Sequence, residues 1–241
     1  MNYHGIIFIH GAGLSSLIWD DVRSLIRFPA LPIDYPSRKH NVADDLNFGD
    51  YINAIIKQID RWEVEKFILV THSIGGCLGL KVAQFFKSRI IGFVAIASAI
   101  PKKGDSFISC LPYPRRVILP LIIKVAGTRP PKKAIEKGLC SDLTREQAEK
   151  VYARFIPESK ELFFEKCDAG IPDTKRLYIK LAYDRELPLP VQERMAENLK
   201  AHKILTLHSG HLPMLSKPSE LVKILTRFYN EAILEMNYLK N

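Results

Sequence analysis

The hexapeptide Thr71-His72-Ser73-Ile74-Gly75-Gly76 closes an apolar run and opens a stretch rich in small residues. A serine on so sharp a strand-to-helix turn projects its hydroxyl above the sheet, which requires small residues two places to either side. Gly75 supplies one of them; Thr71 stands where glycine is usual, so its side chain must be fitted against the following helix. The plainer alternative is an ordinary turn with a capping serine. A serine hydroxyl is a weak nucleophile until a positioned base takes its proton. His211 lies in Ser209-Gly210-His211-Leu212-Pro213, just after an apolar run, and Gly210 is expected to adopt an unusual backbone angle that lets the imidazole reach back. Asp184 follows another such run, where a carboxylate can orient an imidazole and favour its charged form. The chain order Ser73, Asp184, His211 is the nucleophile, acid, base order of one of the three well-known triad arrangements. Acyl transfer also needs donors for the oxyanion. The loop His10-Gly11-Ala12-Gly13 and the Ser73 turn offer them, with the amides of Ala12 and Ile74 as the candidates.

Competing residues are weaker. Glu186 and Asp173 could be the acid, but Asp184 is closest to a strand end and is followed four places on by Pro188. His208 still belongs to its apolar run and reads as structural, and His72 should point away from Ser73. His4, His40 and His202 carry no motif. The spacing Gly11-x-Gly13-x-x-Ser16 with Asp34 imitates a dinucleotide fingerprint. Its last position is serine rather than glycine or alanine, and it leaves Ser73, Asp184 and His211 unexplained.

The elements that must position these residues are short, near-continuous apolar runs, as expected of buried parallel strands: Gly5–His10, Ala30–Asp34, Lys66–His72, Ile90–Ala97, Arg176–Ala182 and Lys203–His208. Helical patterns alternate with them at Trp19–Arg27, Phe48–Arg61, Gly75–Lys87, Pro190–Lys200 and Ser219–Leu234. This predicts an α/β fold with a mostly parallel six-stranded sheet flanked by helices. The alternation lapses between Pro101 and Asp173, where pieces such as Arg145–Phe155 read as helix. The expected organisation is a core of residues 1–100 and 171–241 with an inserted cap or lid over 101–170.

Composition narrows the class. A chain of 241 residues, 47% apolar and 25% charged, has the make-up of a folded globular domain and not of a fibre or a disordered tail. The longest strongly apolar stretch, Val117–Ala126, is about half of what a spanning helix needs. No basic, apolar leader precedes the first strand, and four scattered cysteines (Cys77, Cys110, Cys140, Cys167) fit reduced thiols, so a cytoplasmic protein is expected. The net charge is +9, and between Pro101 and Ile135 eight basic residues face one acid, Asp105. A basic, apolar stretch can lie on a membrane surface. Pro112, Pro114 and Pro120, however, are expected to break any long amphipathic helix there, and lids over apolar pockets share this composition, which weighs against membrane contact.

Taken together, His10-Gly11 after the first strand, the Ser73 turn, Asp184-x-x-x-Pro188 and Gly210-His211 resemble the α/β-hydrolase superfamily across nearly the whole chain. Phe8 to Gly13 with Trp19, and Tyr178-Ile179 leading to Asp184 with Gln192 and Met195 beyond, are similar to the small-esterase branch that includes plant methylesterases and hydroxynitrile lyases. The resemblance implies a helical cap over an apolar acyl pocket, with no metal and no organic cofactor. Lyases of that branch carry a lysine after the histidine and a threonine near the oxyanion loop; Leu212 and Gly11 occupy those places here, which favours hydrolysis. The expected activity is that of a carboxylesterase-like serine hydrolase acting on a small-molecule ester, with no nucleic-acid partner. Two alternatives stay open: a ligand receptor on the same scaffold with slow or no turnover, and a surface-acting hydrolase of lipid or thioester substrates. Substrate specificity and oligomeric state are not legible at this level.

Overall fold

In the computed structural model, residues 4–36 and 46–238 are described. Six strands, β1 (His4–Ile9), β2 (Ala30–Pro32), β3 (Lys66–His72), β4 (Ile90–Ile96), β5 (Lys175–Leu181) and β6 (Lys203–Leu207), form one sheet in the order β2-β1-β3-β4-β5-β6. Every pairing is parallel, so all strands deliver their C-terminal ends to one edge. The six expected runs are the six strands, with ends shifted by one or two residues.

Both faces of the sheet are covered, which is why its strands read as unbroken apolar runs. Alternate residues of β3 serve the two sides: Phe67 and Leu69 join one apolar cluster, Ile68 and Val70 the other. The first cluster takes in Tyr51 and Ile55 of α2 (Phe48–Asp60), Leu78 of α3 (Gly75–Phe85) and Val191 and Met195 of α9 (Leu189–Asn198). The second takes in Val22 of α1 (Asp20–Leu25) and Leu225 and Phe228 of α11 (Pro218–Tyr238). α1 is shorter than the expected Trp19–Arg27: Trp19 closes a 3₁₀ turn, and the chain turns extended at Ile26.

Between β4 and β5 the chain forms α4 (Phe107–Cys110), α5 (Arg115–Ala126), α6 (Lys132–Lys137), α7 (Arg145–Ala153) and α8 (Glu161–Phe164), with no strand among these described residues. One expectation is overturned here: Pro120 does not break α5, which runs twelve residues through it. A proline inside a helix frees the carbonyl four residues earlier. That carbonyl belongs to Arg116, an exposed residue, where water can satisfy it. Pro112 and Pro114 lie ahead of the helix and their carbonyls cap its first amides. α10 (Pro213–Ser216) follows β6 and precedes α11.

Candidate active site

Ser73 follows β3 with φ of 54°, a left-handed conformation that non-glycine residues seldom adopt and that marks a strained turn. The turn is held from below: the Ser73 carbonyl accepts the amides of Gly76 and Ala99 at 3.1 and 2.8 Å. Any Cβ at Gly75 would stand 2.5 Å from the His10 carbonyl, so close packing of α3 on the end of β1 needs glycine there. The departure at Thr71 is accommodated one turn further along α3. A Cβ on Gly79 would collide with Thr71 Cγ2, so glycine at 79 makes the room that glycine at 71 would otherwise have made. The threonine hydroxyl is satisfied by Ser98 Oγ at 2.9 Å and the Val94 carbonyl at 3.3 Å.

Asp184 lies after β5 and His211 after β6, both buried. His211 Nδ1–H donates to Asp184 Oδ2 at 2.8 Å, while Asp184 Oδ1 accepts the amides of Glu186 and Leu187 at 2.7 and 3.0 Å. Burial alone would raise the Asp184 pKa, but the His211 charge and hydrogen bond, with the two amides, hold it below its ordinary value. For His211, burial disfavours the charged form; Asp184 outweighs it and raises the pKa above 6.5. A carboxylate on Nδ1 fixes the tautomer that leaves a lone pair on Nε2. The acid loop is tied back by Gln192, whose Oε1 accepts the Leu181 amide at 2.7 Å and whose Nε2 donates to the Leu187 carbonyl at 2.6 Å.

The alternatives recede. Glu186 Oε2 pairs with Arg115 at 2.7 Å, and Asp173 is exposed ahead of β5, at the opposite edge of the sheet. Asp34 of the dinucleotide-like spacing accepts the amide and hydroxyl of Ser16 at 2.8 and 2.7 Å, a loop-bracing role. His208 is exposed just past β6, against the Tyr183 hydroxyl at 3.3 Å. His40 lies outside the described residues.

His72 has a use that its neighbourhood in sequence does not reveal. Its Nε2–H donates to the His211 main-chain carbonyl at 2.8 Å, and the two rings lie 4.7 Å apart. Burial, with the His211 charge adding to it, lowers the His72 pKa to about 3, so the ring is a neutral strut that ties the His211 main chain to the end of β3. Ala12 and Gly11 approach from β1: a Cβ on Gly11 would stand 2.9 Å from that of Ser73. Among the described residues neither the Ala12 nor the Ile74 amide donates to a backbone acceptor.

Two further carboxylates, from the helical segment, brace the loops. Glu158 is buried and accepts the Gly13 amide and the Tyr51 hydroxyl, each at 3.1 Å, while the Gly13 carbonyl accepts the Ile156 amide at 3.0 Å. Asp142 Oδ2 accepts the Gly210 amide at 2.5 Å and the Ser209 hydroxyl at 3.4 Å. This corrects the expectation for Gly210, which has no positive φ. Glycine is needed there because a Cβ would run into the Asp142 carboxylate. Neither brace has a sequence signal, since each depends on where a distant helix settles. A cleft of about 380 Å³ lies beside the Gly13 loop, lined among others by Leu14, Ile18, Gln147, Lys150 and Leu215; Ser73, Asp184 and His211 are not in its lining. Among the described residues no cluster of side chains has the make-up of a metal site.

Comparison with known proteins agrees with this architecture. The chain is 26% identical over 91% of its length to methylesterase 11, chloroplastic, of Arabidopsis thaliana, of which it spans 62%. It is 22% identical to norfluorocurarine synthase 2 of a Strychnos species, covering 94% of this chain and 96% of that one. An extracellular alpha/beta-hydrolase from a Paenibacillus species superposes with a TM-score of 0.84 at 19% identity, over 92% of this chain and 98% of the other. The profile of the alpha/beta hydrolase family matches residues 6–224, nine-tenths of the sequence, and the chain belongs to that family.

Proposed function

We propose that the protein is a serine hydrolase that cleaves a small or medium carboxylic ester through an acyl-enzyme on Ser73. The observation that carries this reading is the buried Asp184–His211 pair, whose histidine carbonyl accepts the ring N–H of His72, the residue before the left-handed turn at Ser73. In this mechanism Ser73 Oγ attacks the carbonyl carbon as His211 Nε2 takes its proton, and the amides of Ala12 and Ile74 receive the oxyanion. Collapse expels the alkoxide, which leaves as an alcohol with the proton from His211. Water, deprotonated by the same imidazole, then releases the acid and restores Ser73. Asp184 holds the imidazole and stabilises its charged form. The relative named a methylesterase supports an ester substrate. Helices α4 to α8, whose connecting loops carry Glu158 and Asp142 to the Gly13 and Gly210 loops, act as the cap over residues 101–170 in this reading. The four buried, unpaired cysteines support a cytoplasmic setting.

Intact-mass analysis after a fluorophosphonate probe tests the mechanism without a known substrate. Wild type should gain one adduct, absent from Ser73→Ala and strongly slowed in His211→Ala; folded wild type that stays unlabelled overturns the reading. Because the base must be neutral and its pKa is raised, kcat/KM should fall on the acid side with a midpoint above 6.5. A flat profile across that range would remove His211 as the base.

A further inference from the structure

Helix α5 is apolar around nearly its whole circumference, a pattern normally found on helices buried on all sides. Only Ile123 is fully buried, with Leu119 packed partly beneath it. Val117, Ile118, Leu121, Ile122 and Val125 are 49% to 90% exposed. At 100° per residue these five occupy one continuous arc of roughly 140°. Tyr113, 76% exposed, stands at the helix's N-terminal end. Soluble proteins rarely leave such a contiguous patch uncovered unless something binds it.

The charges around the patch indicate the occupant. From Ser106 to Ile135 the chain has no acidic residue. Arg116, Lys124 and Lys133 are exposed and make no ion pair among the described residues. Lys124 borders the apolar arc directly. A second copy of this face would set the same uncompensated cations against each other, which is repulsive. An anionic lipid surface instead takes apolar side chains at the acyl boundary, a tyrosine at the headgroup level and cations against phosphates. α5 is also joined to the site: Arg115, at its first turn, donates to the Glu186 carbonyl at 2.6 Å, and the Glu186 amide donates to Asp184.

We propose that α5 is a docking surface for anionic lipid, lying flat in the interface with the Val117–Val125 arc inserted and Lys124, at its edge, at the headgroups. Among the described residues no helix is long and apolar enough to cross a membrane, so contact through α5 is peripheral. The proposal does not depend on the role of Ser73.

Co-sedimentation with vesicles decides it. At low salt the full chain should bind phosphatidylcholine vesicles containing about 30 mol % phosphatidylglycerol at least tenfold (~10×) more tightly than pure phosphatidylcholine. The double variant L121E/V125E should lose about tenfold or more of that binding while its turnover of a soluble ester stays within roughly twofold of wild type. Lys124→Gln should reduce the preference for the anionic lipid about threefold or more, and unchanged preference in that variant overturns the assignment of lipid to this face. Wild type that fails to sediment at low salt, or L121E/V125E that binds as wild type does, overturns the proposal. So does a lipid-free dimer in sedimentation velocity that L121E/V125E dissolves, which would assign the face to a second copy.

Discussion

At the C-terminal edge of the sheet, polar groups are buried and nearly all bonded: Asp184 uses both oxygens, His211 is held through its ring and its carbonyl, and buried Glu158 braces the Gly13 loop while the exposed Asp142 braces the Gly210 loop. On α5 the situation is reversed, with large apolar groups in water and cations beside them. Each region departs from the ordinary sorting of apolar inside and polar outside, and each departure has a different cost. Burying an unpaired charge is expensive, so the first region must be geometrically exact or fail. Exposing apolar surface costs the folded state little, so the second can persist without specific geometry and waits on a partner.

The sharpest way to break the first region is Asp184→Asn. The amide oxygen of the introduced asparagine can still accept the Glu186 and Leu187 amides, so the fold should survive, but its NH₂ facing Nδ1 favours the wrong tautomer of His211. Loss of kcat by about 10⁴ is expected, with a thermal midpoint near that of wild type. A fall of less than tenfold (~10×) would show that the pair is structural and not catalytic.

The burial of His72 makes a pH prediction for the same region. Its folded pKa, about 3, lies below the unfolded value near 6.5, so the unfolded chain binds the proton first and stability falls as pH drops from about 6.5 towards 3. The slope from this group alone is about 1.4 kcal/mol per pH unit. His211, raised by Asp184, takes its proton first in the folded state, so it adds stability as pH falls through the range around and above 6.5, in wild type and variant alike, and Asp184 adds its own loss only as pH approaches its lower range. Urea midpoints at pH 7.5 and 5 should therefore converge in His72→Gln relative to wild type, even though the variant is less stable at both. Parallel shifts in the two proteins would contradict the neutral, buried strut.

Packing beneath the turn gives the next effect in size. Gly79→Ala places a methyl against Thr71 Cγ2 and should cost about 1–3 kcal/mol. Thr71→Ser removes that methyl and keeps the hydroxyl that bonds Ser98, so the double variant should recover most of the loss in a denaturation cycle. Additive losses would mean that the helix moves instead.

This pair also shows what was legible in the sequence. The strands and the helices of the core were, because buried parallel strands and amphipathic helices write their period directly into residue order, whereas between β4 and β5 only α7 was read as helix. The fold followed from that alternation. Ser73, Asp184 and His211 became candidates because each sits at a strand end, a place that order along the chain defines; the structure brings Asp184 and His211 into contact and bonds the His72 ring, one residue before Ser73, to the His211 carbonyl. Thr71 could be recognised as a departure, but its compensation by Gly79 could not, since a missing methyl one helical turn away has no signature of its own. Asp142 and Glu158 were invisible for a related reason: they act across 68 and 145 residues of sequence. Pro120 misled because the rule against proline in helices assumes a carbonyl that water cannot reach.

The smallest expected effect lies on the outer side of α5, and the inner side of the same helix sets its reference. Ile123 is 2% exposed and packs into the core, so Ile123→Ala should cost about 2–4 kcal/mol, the range for a deleted buried aliphatic side chain. Val125, two residues on and 90% exposed, has almost nothing to lose in the free protein, and Val125→Ala should shift stability by less than about 0.5 kcal/mol. The informative step is to repeat both measurements with anionic vesicles present. A ligand that binds only the folded state raises its stability by mass action. The stabilisation by vesicles should be retained by any residual folded Ile123→Ala and diminished in Val125→Ala, so the variant that is silent in water becomes the one that responds to lipid. If Val125→Ala stayed silent in both conditions while wild type was stabilised, the exposed arc would not be what the lipid touches.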